Sequence, residues 1–227
     1  MSKKILIVDD DSSIAEILEF NLRNEGFEIE IASSAEDALL KNLINFDLIL
    51  LDVMMGGMSG YKMAEQIRKA DINTPIIFLT AKDTENDMLT GFSVGGDDYI
   101  SKPFSIKEII ARVKAILKRN DKISVGKDHK LSYNNFVIDF DLKELYINDT
   151  KVELTKTEFN LLYLLAKTPD KMFSRDAIIN KLWQDSPYIT ERTVDVHIAR
   201  LRKKLNDYAF VISNRSGYGY RFNTTGL

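Results

Sequence analysis

The chain has 227 residues, 44% of them apolar and 29% charged, with a net charge of −3 and no cysteine. That length suits two modest domains, each with its own core, and the composition is that of an ordinary soluble globular protein. Zero cysteines exclude a disulfide framework, a thiolate metal site and a cysteine nucleophile. No apolar run approaches the roughly 18 residues of a membrane span. The run behind the basic start stops after four residues at Asp9-Asp10-Asp11, so it does not read as a signal peptide, and a cytoplasmic protein is expected. Charge is split: residues 1–120 carry 14 Lys+Arg against 20 Asp+Glu, a net of −6, whereas residues 121–227 carry 17 against 14, a net of +3. Halves of opposite sign point to a cation as partner for the first and a polyanion for the second.

The first half alternates strand and helix. Ile5-Leu6-Ile7-Val8 reads as a buried strand, followed by a capping box, Ser13-Ile14-Ala15-Glu16, and a helix with Ile14, Ile17, Leu18 and Leu22 on one face. Glu28 to Ile31 alternates like an edge strand, and Ser34 caps a second helix. Leu48 to Leu51 and Ile76 to Leu79 are further buried strands, with helices after Ser59-Gly60 and near Asp83-Thr84. Tyr99-Ile100-Ser101 is a fifth strand, and a box at Ser105-Ile106-Lys107-Glu108 opens a helix running to about Arg119. This repetition predicts a doubly wound parallel sheet of α/β class over residues 1–119.

Residues 120–131 are polar and aperiodic and read as a linker. From there to residue 227 the pattern is a smaller α+β domain. Short antiparallel strands at Phe136–Phe140, Glu144–Ile147 and Val152–Leu154 precede a capping box, Thr155-Lys156-Thr157-Glu158, which opens a helix bearing Phe159, Leu161, Leu162, Leu164 and Leu165. Ser174 caps a second helix ending near Trp183, which reads as a core anchor. Glu191–Asn206 is a third helix with Val194, Ile198, Leu201 and Leu205 towards the core. Its other side is expected to carry Arg192, Thr193, Val196, His197, Arg200, Lys203 and Lys204. A Gly/Tyr hairpin, Phe210 to Phe222, closes the chain.

Five polar residues stand at the ends of the apolar runs: Asp9, Asp10, Asp52, Thr80 and Lys102. In an open α/β sheet ligands bind beyond the carboxyl ends of the strands, so these groups should converge on one acidic, cation-dependent phosphoryl site. The motifs Ile7-Val8-Asp9-Asp10-Asp11, Leu51-Asp52-Val53-Met54-Met55, Leu79-Thr80-Ala81-Lys82 and Gly96-Asp97-Asp98-Tyr99-Ile100-Ser101-Lys102-Pro103-Phe104 resemble the flavodoxin-like receiver domain of bacterial response regulators. The resemblance implies that Asp52 accepts a phosphoryl group and that Mg²⁺ is held by Asp9, Asp10, Asp52 and the backbone carbonyl of Met54. It makes Lys102 and Thr80 the donors to phosphoryl oxygens, with a cis Lys102-Pro103 peptide, and Tyr99 a switch aromatic working with Thr80. It names a sensor histidine kinase as donor, since neither His129 nor His197 has the context of one. It also implies a homodimer on phosphorylation, through a face carrying Asp97, Asp98, Glu108, Arg112 and Arg119. Two departures stand out: Thr90 where relatives are often basic, and Gly56 in place of a usual proline after Asp52.

In the second half, Leu154-Thr155-Lys156-Thr157-Glu158-Phe159, Arg192-Thr193-Val194-Asp195-Val196-His197-Ile198, Leu201-Arg202-Lys203-Lys204-Leu205 and Gly217-Tyr218-Gly219-Tyr220-Arg221-Phe222 resemble the winged-helix effector domain of the OmpR/PhoB subfamily. A helix fits the major groove of promoter DNA, where side chains reach base edges and cations grip phosphates. Val196, His197 and Arg200 are the expected base contacts, with Arg192, Thr193 and Lys203 nearer the backbone. Arg215 is the wing cation, because Ser216 occupies the place where arginine is frequent. Arg202 is expected to face inward. The Asp185–Thr190 loop matches the family's segment for RNA polymerase.

Taken together, the chain is expected to be a phosphorylation-controlled transcription regulator and not an enzyme beyond self-phosphorylation and self-dephosphorylation. Two competitors share part of the pattern. A constitutive DNA binder with a docking-only receiver would lack some acidic, Thr or Lys group, and none is missing. A haloacid-dehalogenase-type phosphatase would need a second aspartate two residues after Asp52, and position 54 is Met.

Overall fold

The computed structural model describes residues 2–81, 84–118, 130–183 and 189–227. The chain divides into two compact units, Met1–Lys118 and Arg119–Leu227.

In the first unit, strands β1 (Lys4–Val8), β2 (Glu28–Ala32), β3 (Leu48–Asp52), β4 (Ile76–Thr80) and β5 (Asp98–Ser101) form a parallel sheet in the order β2-β1-β3-β4-β5. They alternate with helices α1 (Ser12–Asn24), α2 (Ala35–Leu39), α3 (Gly60–Lys69), α4 (Glu85–Val94) and α5 (Ile106–Lys118). β3 and β4 are buried at every residue, which explains why the sequence shows unbroken apolar runs and no alternation. On one face, Ile5, Ile7, Leu48, Leu50, Ile77 and Leu79 pack under Leu18, Leu22, Ile109 and Val113 of α1 and α5. Register does the positioning: Val8 pairs with Leu51, Asp52 with Leu79, and Thr80 with Ser101, so the strands finish at one level. The order reverses between β1 and β3, where such sheets open a crevice.

Two local expectations shift. The cap of α1 is Asp11, whose carboxylate accepts the Ser13 and Ile14 N–H groups, and Ser13 lies inside the helix. Ala15 replaces Ile17 on the buried face, and Ile17 is 53% exposed. Ser34, Ser59 and Thr84 do cap their helices, each accepting a backbone N–H three residues on.

In the second unit, β6 (Lys130–Tyr133), β7 (Phe136–Asp139), β8 (Glu144–Ile147) and β9 (Thr150–Val152) form an antiparallel sheet. β6 takes up two residues read from sequence as linker; residues 120–129 lie outside the described ones. Next come α6 (Lys156–Ala166), α7 (Arg175–Leu182) and α8 (Glu191–Leu205), then the hairpin β10 (Ile212–Arg215) and β11 (Gly219–Phe222). α6 opens with the expected reciprocal cap between Thr155 and Glu158. Trp183 is fully buried at the end of α7.

A backbone pair ties the hairpin to the segment that leads into α7. Phe173 and Tyr220 exchange both backbone hydrogen bonds, at 2.8 and 2.9 Å. Gly219, beside Tyr220, has φ +112°, and a Cβ there would lie 2.0 Å from the Phe173 carbonyl oxygen. The close approach therefore requires glycine twice over, for space and for backbone. Gly219→Ala should destabilise the second unit by roughly 2–4 kcal/mol, read as a lower urea midpoint in Trp183 fluorescence.

Candidate functional site

The strand ends of the first unit bring Asp9, Asp10, Asp52 and Lys102 together. One oxygen from each of the three carboxylates falls within a 4.8 Å cluster. Asp9 and Asp52 are buried, whereas Asp10 is exposed at the rim. Lys102 follows β5 through a cis peptide to Pro103. Its ammonium donates to Asp9 Oδ2 at 3.0 Å and to Asp52 Oδ2 at 2.9 Å. Burial by itself would lower the Lys102 pKa, but those two bonds outweigh it and hold it above the ordinary lysine value. For Asp9 burial wins: its carboxyl sits above the ordinary value despite the Asp11 N–H and Lys102.

The remaining lone pairs are aimed by backbone. The Met54 N–H donates to Asp52 Oδ1 at 3.1 Å, and the Gly56 N–H donates to Asp10 Oδ2 at 3.0 Å. A proline at position 56 could not make the second bond, so the glycine that departs from the family pattern contributes a donor. Glu36 of α2 accepts the Met58 N–H at 3.0 Å and holds the far end of the same loop. Gly60 lets α3 start directly against the strand: a Cβ there would be 2.2 Å from the Asp52 carbonyl oxygen. Three carboxylates against one ammonium leave surplus negative charge at a half-buried site. This donor set fits a hard divalent cation bound through oxygen.

Thr80 ends β4 fully buried, and its carbonyl accepts the Lys102 N–H at 2.6 Å. Tyr99 is also fully buried, with its ring against Phe78 and Phe92. Its hydroxyl meets that of Tyr61 at 3.2 Å, and Tyr61 donates to the Asp87 carbonyl of α4 at 3.0 Å. Burial and the Tyr99 hydroxyl push the Tyr61 pKa far up, so the Tyr61 phenol stays neutral. Tyr61, which the sequence reading passed over, thus connects the inward tyrosine to α4.

The charges assigned to a dimer face need correction. Asp97 is fully buried; Arg68 donates to it at 3.1 Å and so does the Ile76 N–H, so it braces the sheet edge from within. Asp98 and Arg112 are buried too and pair with each other at 3.1 Å. Glu108 is partly exposed and takes Arg112 as its partner at 3.1 Å, so Thr90 does not orphan it; the Thr90 hydroxyl donates to the Asn86 carbonyl. Arg119 lies outside the described residues.

On α8 two expected DNA contacts are overturned. His197 is fully buried, stacked on Trp183 with ring centroids 5.1 Å apart, and Thr193 is buried beside Val194. The buried stripe is therefore Thr193, Val194, His197, Ile198, Leu201 and Leu205, wider than the four apolar residues alone suggest. Arg200 turns to the buried Glu158 of α6 at 3.0 Å, with Lys204 on the other carboxylate oxygen at 2.8 Å. Arg202 faces the hairpin, donating to the Ile212 carbonyl at 2.6 Å. Asp195 accepts from Arg175 and from the Tyr220 hydroxyl, both at 2.7 Å. The exposed residues of α8 are Glu191 at its start, Arg192, Ala199 and Lys203, with Val196 half-exposed. Ala199 is the residue that a search for polar readers misses. At the hairpin tip, Arg215 is exposed and its guanidinium lies 4.4 Å from the centre of the Tyr218 ring. Of the Asp185–Thr190 loop, residues 185–188 lie outside the described ones.

Comparison with known proteins gives this geometry its class. Residues 5–114 match the family model described as response regulator receiver domain, and residues 149–222 match the one described as transcriptional regulatory protein, C terminal. The chain is 42% identical over 229 residues to the transcriptional regulatory protein ResD of Bacillus subtilis, covering 96% of this chain and 95% of that one. It is 40% identical to SrrA of Staphylococcus aureus, covering 98% and 96%. Among solved structures it is similar to DrrB, an OmpR/PhoB homologue of Thermotoga maritima, at 30% identity, 98% and 100% coverage and a TM-score of 0.53. The chain is a transcriptional response regulator of the two-component type. Within that class it belongs to the OmpR/PhoB family, whose receiver and winged-helix domains account for both described units.

The Glu158 cluster has a measurable signature. Burial alone would raise this carboxyl, yet Arg200, Lys204 and the Thr155 N–H pull it below the ordinary glutamate value. A carboxyl depressed in the folded state adds stability above its unfolded pKa and loses it as pH falls through the folded one. Wild type should thus lose more stability in the second unit than Glu158→Gln between neutral pH and pH below about 4. The variant starts about 2 kcal/mol lower at neutral pH, and urea melts at several pH values would show the two curves converging in acid.

Proposed function

We propose that Asp52 is the phosphoryl acceptor of this regulator and that a sensor histidine kinase is its donor. The observation that carries the reading is the convergence of Asp9, Asp10, Asp52 and Lys102, with one ammonium bridging two buried carboxylates. An Asp52 carboxylate oxygen attacks phosphorus and a P–O bond forms. The P–N bond to the donor imidazole breaks, and its electron pair returns to the nitrogen. Asp9, Asp10, Asp52 and the Met54 carbonyl would hold Mg²⁺, which would supply neutralisation of the negative charge of the carboxylates and the phosphoryl group. Lys102 is placed to exchange its carboxylate bonds for a phosphoryl oxygen, and the Thr80 hydroxyl to donate to another. No side chain of the site needs to remove a proton, because a carboxylate nucleophile carries none.

Phosphorylation adds close to two negative charges at the strand ends. That charge biases a two-state element only by being bound better in one state. Thr80 and Tyr99 are the residues placed to respond, Tyr99 through its contact with Tyr61. The output is a receiver homodimer, with Glu108 the partly exposed charge of its face, and tighter binding of promoter DNA. Arg192, Val196 and Lys203 of α8 and Arg215 of the hairpin form the DNA surface, with Arg200 seated at its edge by Glu158. The Asp185–Thr190 loop is the segment offered to RNA polymerase. None of the described helices is long and apolar enough to cross a membrane, and the reading places the protein in the cytoplasm. Beyond its own phosphorylation and dephosphorylation it turns over no substrate.

Incubation with a phosphorylated histidine kinase domain and Mg²⁺ should give an acid-stable, base-labile label on wild type. Asp52→Asn should abolish it while urea melts of both units stay cooperative. Equal labelling of that variant would sink the assignment, and retention of label in excess chelator would remove the cation.

A further inference from the structure

We propose that α8 reads thymine C5-methyl groups in the major groove through Val196 and Ala199, so that the target half-site is specified in part by apolar contact. The inference rests on the DNA-binding reading above and names the base chemistry it selects.

Viewed down the helix at 100° per residue, Arg192, Val196, Ala199 and Lys203 fall within about 60° of one another. These are the exposed or half-exposed residues along the centre of the outward face. The rows bordering them carry the hydrogen-bonding side chains, and those are committed within the chain. On one side Asp195 is held by Arg175 and Tyr220, and Arg202 by the Ile212 carbonyl. On the other side Arg200 is held by Glu158. A base edge meeting the centre of this face therefore meets two small apolar groups.

The spacing suits two neighbouring base pairs. Val196 and Ala199 are three residues apart, about 4.5 Å along the axis at 1.5 Å per residue, against roughly 3.4 Å between stacked bases. Arg192 and Lys203 lie eleven residues apart, about 16 Å, enough to reach phosphates on both sides of a groove roughly 12 Å wide. Ala199 projects a single carbon, which lets the helix backbone settle close to the base edges. Thymine is the only base that presents a methyl group in that groove, and alanine-like side chains are suited to contacting it.

The full-length chain, treated with acetyl phosphate and Mg²⁺, would be used to enrich duplexes from a random-sequence pool. In the enriched duplex each dT is then replaced singly by dU, which removes the methyl and leaves the pairing and hydrogen-bonding edges intact. Replacement at one or two adjacent positions should weaken binding about three- to fivefold each, the scale of one buried methyl. Val196→Ser should make one of those positions insensitive to dU while its urea melt matches wild type. Enriched duplexes bound equally with dT and dU throughout would overturn the methyl readout and leave DNA binding standing. A pool that yields no enriched duplex would overturn both.

Discussion

A parallel strand buried on both faces can place a charged side chain only where it leaves the sheet. β3 and β4 meet that condition at every residue, and β1 nearly so. Their polar residues are consequently displaced to the carboxyl ends, and the register of Val8 with Leu51 and Asp52 with Leu79 sets those ends side by side. The phosphoryl site is thus a product of strand length and pairing before it is a product of any one residue. Asp9 and Asp52 lie 93 and 50 residues before Lys102 in sequence, yet its ammonium reaches both within 3.0 Å because the strand ends stand side by side.

Charge inside the two units follows one rule with opposite outcomes. Asp97, Asp98 and Glu158 are all buried, and each is met by arginine: Arg68, Arg112 and Arg200. Leaving any of them unpaired would cost several kcal/mol, so these pairs fix the relative positions of the elements that carry them. At the strand ends the balance is deliberately left incomplete, with three carboxylates around one ammonium. The first arrangement holds a fold in one state. The second leaves a site whose charge is completed from outside, which is what a reversible signal requires.

Much of this was legible in the sequence, and the boundary of legibility is physical. Caps at Ser34, Ser59, Thr155 and Ser174 depend on residues three apart and were readable directly. The strand-end residues were readable because a buried run has few places to finish. Sidedness was harder. The family resemblance put Asp97 and Asp98 on an exposed dimer face, and only their arginine partners, Arg68 and Arg112, from other elements explain their burial. Polarity likewise placed Thr193 and His197 towards DNA, whereas Trp183 from the preceding helix covers His197. Helical spacing tells which residues share a face, but the width of the buried stripe is decided by what packs on it. Ala199 was overlooked for the converse reason: a one-carbon side chain carries no chemical signal until its exposure is known.

The stack between Trp183 and His197 has a practical consequence. The chain contains a single tryptophan, and it sits at the end of α7 with its ring 5.1 Å from an imidazole of α8. The protein therefore carries its own optical label in the effector unit and none in the receiver. Indole emission therefore reports the seating of α8 against the end of α7 in an unmodified chain.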